Sequence, residues 1–206
     1  MKSKYYAGKI QSSMSTATQT KPSPAIKWLF KEKFIRYTDK VLDYGCGRTA
    51  RNADWLRVKI GVPTYAYDPY WGVPMLGGAA WLKEYISDEI PPLEKFDVVF
   101  TSFVLNVVTK KEQDKIIKHC KELAPIQIHI VRNDTIEAAE KAIRRQVNPT
   151  YSFFIYEFQG NPESPVDVTN LAYYGFSTSR GFQRHITEIQ GYKTIKSTHN
   201  YRIFMK

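Results

Sequence analysis

The chain has 206 residues, 43% hydrophobic and 24% charged, an ordinary composition for a globular protein with a buried core. No apolar run approaches the roughly 18 residues of a membrane span, and the polar start is not that of a signal peptide. Cys46 and Cys120 are the two cysteines; they make neither a disulfide framework nor a zinc site alone, so a reducing cytoplasm is the expected setting.

The formal charge of +10 is unevenly spread. Residues 1–40 hold nine Lys/Arg against two Asp/Glu, a net of +7, whereas residues 41–110 hold seven against eight and residues 111–206 fourteen against ten. A basic leading segment before a near-neutral middle points to an anionic partner, phosphate backbone or anionic lipid, or serves only solubility.

Residues 1–22, rich in Ser, Thr, Lys and Gln, read as a flexible basic arm. Ser23-Pro24 predicts a helix start, with Ser23 as N-cap and Pro24 in the first turn. Lys40–Asp43 reads as a buried strand, Gly45-Cys46-Gly47 as a turn, and Thr49–Ile60 as a helix closed by Gly61. Thr64–Tyr67 is a second strand. A crossover follows, with a helix over Ala79–Tyr85 and a short strand near Ile86. Phe96–Thr101 is a further buried strand. The capping-box spacing of Thr109 and Glu112 starts a helix that runs to Leu123. Ile126–Val131 is the next strand, and Asn133 or Asp134 caps a helix reaching about Gln146. The segment 147–178 is rich in Tyr and Phe among Pro, Gly and Asn, and reads as an insert in a single domain over 23–206. A helix over about Arg180–Gln190 precedes two strands, Lys193–Ser197 and Tyr201–Met205, joined as a hairpin by Thr-His-Asn. Strands alternating with helices define an α/β domain on a parallel sheet, closed by an antiparallel end.

Val41-Leu42-Asp43-Tyr44-Gly45-Cys46-Gly47-Arg48-Thr49 carries the most chemistry. A buried strand feeding a glycine turn and a helix is the ligand-binding corner of an open α/β sheet, where backbone N–H groups meet the ligand. Asp68 ends the second strand, 23 residues after Gly45, a spacing that suits a carboxylate on a ribose. The same glycines satisfy a dinucleotide fingerprint with Ala50, so NAD competes. Asp43 separates the two: its carboxylate repels a pyrophosphate and attracts a sulfonium or α-ammonium group.

On these residues the sequence resembles the class I S-adenosylmethionine (SAM)-dependent methyltransferases, with Thr49 where a third glycine is usual. The resemblance implies an α/β, Rossmann-like, mostly parallel sheet with helices on both faces and a C-terminal antiparallel hairpin strand. It implies SAM as cofactor, held by Asp43, Gly45, Cys46 and Gly47, by Asp68, Pro69 and Tyr70 after the second strand, by Asp88, and by Ser102 and Phe103 after the fourth. Asp-Tyr-Gly-Cys-Gly-Arg, the Asp-Pro near Trp71 and Val104-Leu105-Asn106-Val107-Val108 also resemble methyltransferases associated with DNA phosphorothioation systems. This, with the basic arm and the aromatic insert, favours a nucleic-acid acceptor, DNA ahead of RNA, while the lack of a long apolar run argues against a membrane partner.

The acceptor side is less marked. Thr101-Ser102-Phe103-Val104 stands where exocyclic-amine DNA methyltransferases usually show a Pro-Pro tetrapeptide, and no cysteine follows that strand as the cytosine-C5 type needs. Asn106 either orients an acceptor or caps a turn. Arg132 holds an acceptor phosphate or makes a surface ion pair. His185 is a base near neutral pH or a structural residue. These three are the catalytic candidates, and no metal is expected. The aromatic insert, flanked by Arg144, Arg145 and Arg180, suits base stacking or a small core. Two other readings remain: a small-molecule methyltransferase, and a SAM-binding protein without transferase activity.

Overall fold

The computed structural model describes residues 21–47, 49–68, 86–87, 95–108, 110–133, 153–156, 173–176, 181–184 and 186–206. The expected helices over Ala79–Tyr85 and from Asn133 or Asp134 to Gln146 lie outside them, apart from Asn133 itself.

Helix α1 (Pro24–Lys31) begins where Ser23 predicts, the Ser23 side chain accepting the Ala25 N–H. Strand β1 (Val41–Tyr44) leads through the glycine turn into α2 (Arg51–Asp54). That helix continues over Trp55–Ile60 with the wider winding of a π-helix and stops at Gly61, whose φ of 86° is the left-handed conformation a C-terminal glycine supplies. Then come β2 (Thr64–Tyr67), β3 (Ile86–Ser87), β4 (Val98–Ser102), a 3-10 turn (Leu105–Val107) and α3 (Lys110–Leu123). The chain goes on through β5 (Ile126–Arg132), β6 (Phe153–Tyr156), β7 (Tyr173–Phe176), β8 (Gly181–Arg184), β9 (Lys193–Ser197) and β10 (Tyr201–Met205).

Seven strands form the main sheet in the order β3-β2-β1-β4-β5-β10-β9. Strands β1 to β5 pair in parallel, and β10 is antiparallel to both β5 and β9. Alternation along β1 divides the core. Val41 joins Ala25, Ile26, Leu29, Leu56, Phe100 and Ile130 under α1 and α2. Leu42 and Tyr44 join Val99, Cys120 and Leu123 under α3. Helices thus cover both faces, as expected. Among the described residues, no helix is long and apolar enough to cross a membrane.

One expected element is different. Residues 181–184 are not the start of a helix over Arg180–Gln190; they form β8, and residues 186–189 have no helical structure. Strand β8 pairs antiparallel with β7, and β7 with β6, in a separate three-stranded sheet. Gly181 and Phe182 are weak helix formers, and pairing with residues five to eleven positions earlier overrides what remains of the local preference. The aromatic segment therefore supplies two strands of a sheet completed beyond residue 178.

Candidate functional site

The parallel strands reverse their order between β1 and β4, which opens a crevice at their carboxyl ends. The glycine turn builds one wall. The N–H groups of Gly45 and Cys46 both donate to the Tyr67 carbonyl, at 2.7 and 3.0 Å. The Gly47 N–H donates to Asp68 Oδ2 at 2.9 Å. The turn therefore wraps the end of β2, and Asp68, buried at the tip of that strand, fixes its shape. Gly45 and Gly47 have φ of 77° and 68°. At Gly45 the requirement is double, because a Cβ there would overlap Val104 Cγ2.

The other wall is the turn after β4. Phe103 has a φ of 62°, rare for an aromatic residue, and its N–H donates to the Ile130 carbonyl at 2.8 Å. The bend directs the chain back against the glycine turn.

Two polar groups in this crevice have no partner among the described residues. Asp43 is fully buried, and neither carboxylate oxygen accepts a hydrogen bond. Ser102 Oγ is buried and equally unpartnered. Asp43 is in register with Phe100 on the adjacent strand, and Ser102 lies two residues further along, so both belong to the face covered by α1 and α2. Burial holds the Asp43 carboxyl well above its ordinary range. The Ala53 amide offsets part of this without meeting hydrogen-bond geometry, and the nearby Asp68 adds to the rise. Buried polar atoms without partners are costly, and both of these stand at the switch point of the sheet.

Cys46 sits in the turn, and its thiol contacts the Gly47 carbonyl at 3.4 Å. Burial, then the charges of Asp43 and Asp68, push its pKa up, which suits a packing residue rather than a nucleophile. Cys46 and Cys120 are both free thiols.

Of the catalytic candidates, two are brought together. Asn106 is fully buried, and its Oδ1 accepts the Arg132 backbone N–H at 2.8 Å, tying the turn after β4 to the end of β5. That bond uses the Asn106 side chain in the manner of a turn support. His185, like Pro69, Tyr70 and Asp88, lies outside the described residues. The backbone of β8 lies beside the Leu105–Val107 turn, so the smaller sheet borders the crevice.

Asn52 was not legible as a site residue. From the first turn of α2 its buried Oδ1 accepts the Ser23 N–H at 2.8 Å, anchoring the start of α1 beside the glycine turn. No local pattern marks a bond across 29 residues.

No family model matches the chain, and no curated protein matches its sequence. Solved structures do match in fold. A glycopeptide N-methyltransferase complexed with S-adenosyl-L-homocysteine superposes with a TM-score of 0.51 at 11% identity, over 92% of this chain and 91% of that one. Magnesium protoporphyrin IX methyltransferase from Synechocystis PCC 6803, also with S-adenosyl-L-homocysteine, gives a TM-score of 0.48 at 16% identity, over 88% and 78%. An rRNA methylase from Escherichia coli gives 0.39 at 15% identity, over 88% and 60%. The chain shares its fold with the glycopeptide N-methyltransferase.

Proposed function

We propose that this chain is a SAM-dependent methyltransferase whose acceptor is nucleic acid, DNA ahead of RNA. The observation that carries the cofactor is the unpartnered Asp43 carboxylate, fully buried at the switch point beside the unpartnered Ser102 hydroxyl. A buried carboxylate is best compensated by a cation, and SAM has two cationic groups, a sulfonium and an α-ammonium. An anionic pyrophosphate would worsen the same position, which sets NAD aside. When bound, SAM supplies a methyl group on positively charged sulfur to an attacking acceptor atom.

The residues present fit that ligand. Asp43 and Ser102 would hold its charged end, the glycine turn would admit its backbone-hugging portion, and Asp68 would face the ribose. The chain's task is chiefly alignment, by walls fixed through Gly45, Phe103 and Asn106. The nucleic-acid acceptor is supported by the uneven charge, +7 over residues 1–40 before a near-neutral cofactor half. The finer resemblance to proteins of DNA phosphorothioation systems rests on the motif residues alone. Two free thiols and no described membrane helix fit a cytoplasmic setting.

Incubation with labelled methyl donor and separate DNA, RNA and metabolite pools tests the reading. Label is expected in DNA, and Asp68→Ala is expected to lose most SAM affinity by calorimetry. Label confined to metabolites would make the chain a small-molecule enzyme. SAM binding with label in no pool would make it a binding protein.

A further inference from the structure

The seam between α1 and the edge strand β9 carries a line of cations that the cofactor site does not use. Lys196, half-buried on β9, places its Nζ 5.0 Å from the centroid of the Trp28 ring on α1. The half-buried indole holds that ammonium against the surface. Lys27 and Lys31 stand one turn apart on the exposed side of α1, about 6 Å along its axis. Lys193 is exposed on the same strand; a register shift between the two sets Lys193 opposite Met205 and Lys196 opposite Ile203, on one face and about 7 Å apart along the strand. None of the four lysines pairs with a carboxylate among the described residues. The acidic residue nearest in the α1 sequence is Glu32, at its C-terminal cap.

Direction gives the line its meaning. The Asn52 bond to Ser23 pins the start of α1 beside the glycine turn, and α1 runs from there toward the residues that enter β1 at its opposite end. Strand β9, antiparallel to β10 and hence parallel to β1, runs the other way along the seam. Lys27 and Lys196 are therefore nearest the carboxyl ends of the strands, and Lys31 and Lys193 lie farther down. Lysines on an edge strand also discourage strand pairing between molecules. That accounts for Lys193 and Lys196, but not for Lys27 and Lys31 on a helix.

We infer that this seam is a backbone-binding track for the nucleic-acid acceptor, along which phosphodiester groups lie as the strand leaves the crevice. The inference rests on the nucleic-acid reading above and names the surface that reading requires. Four uncompensated ammonium groups in a line match a polyanion, and their binding energy comes from displaced counterions.

The test uses the full chain and a fluorescent single-stranded DNA of about 20 nucleotides, with anisotropy read from about 50 to about 200 mM salt. In the Lys27→Ala, Lys196→Ala double variant, the slope of log affinity against log salt is expected to flatten by about 0.7 for each lysine removed. SAM affinity by calorimetry should stay at its wild-type value, and the melting temperature should fall by no more than loss of the Lys196–Trp28 contact accounts for. A wild-type slope retained in the double variant and in a variant with all four lysines replaced would overturn the track while leaving the nucleic-acid reading intact. Wild-type protein that shows no salt-dependent DNA binding, yet binds SAM, would remove both. Tighter binding to phosphatidylserine vesicles than to DNA, lost on replacing the lysines, would assign the seam to lipid and also overturn the inference.

Discussion

Asn106 Oδ1 accepts the backbone N–H of Arg132 at 2.8 Å, and through that bond the turn that bears Ser102 and Phe103 is held to the end of the neighbouring strand. Asn106 is fully buried, so no water replaces the acceptor when it is removed. Asn106→Ala leaves the Arg132 N–H without this partner, at a cost of about 1–3 kcal/mol. For a chain of this size the melting temperature should fall by about 2–4 °C for each kcal/mol. SAM affinity should fall with it, because the turn loses its support. A variant with wild-type melting but abolished transfer would instead make Asn106 an acceptor-orienting residue.

Asp43 predicts an opposition between stability and binding. Burial raises its carboxyl above the ordinary value of 3.8, so the folded chain keeps the proton to higher pH than the unfolded chain does. Its contribution to stability is complete below the ordinary carboxylate range and is lost as pH rises through the raised value. Near neutral pH, ligand-free Asp43→Asn should therefore melt higher than wild type, and the gap should close in acid. Saturating SAM should raise the melting temperature of the wild type and barely move the variant. Equal ligand shifts in the two proteins would count against a cation facing Asp43.

His129 predicts an acid-side dependence of opposite sign. It is buried on β5 with Nδ1 3.0 Å from Thr101 Oγ1, against the ring of Tyr192. Burial, with a smaller effect from Lys121, pulls its pKa from 6.5 down to about 3. The unfolded chain thus takes up a proton that the folded chain refuses throughout that interval. Stability should fall as pH drops below 6.5, by at most about 1.4 kcal/mol per pH unit from this group. In His129→Phe that part of the slope should vanish, as read from denaturant midpoints at several pH values. An unchanged slope would place the acid sensitivity elsewhere.

Several elements were readable with little error because their signals are local. Thr64–Tyr67, Lys193–Ser197 and Tyr201–Met205 fall on their expected residues, each bounded by a turn residue or a change of pattern. The Ser23 cap, the Gly61 stop and the glycine turn are equally plain, the first because its side-chain oxygen accepts a helix N–H and the others because glycine supplies a positive φ.

Strand β8 departs from the expected helix, because four residues beginning with glycine become a strand only when Tyr173–Phe176 lies alongside to exchange hydrogen bonds with them. Asp43 was recognisable as a candidate, but its isolation was not. A carboxylate loses its water and its partners only when β4 closes beside it and α1 and α2 cover the face. The bonds from Asn106 to Arg132 and from Asn52 to Ser23 span 26 and 29 residues, and no periodicity reports them. Sequence periodicity and turn chemistry act between neighbours along the chain, and so they name the elements and the chemical types at the site. Desolvation and long-range hydrogen bonding act between neighbours in space, and they settle which of those groups are left for a ligand.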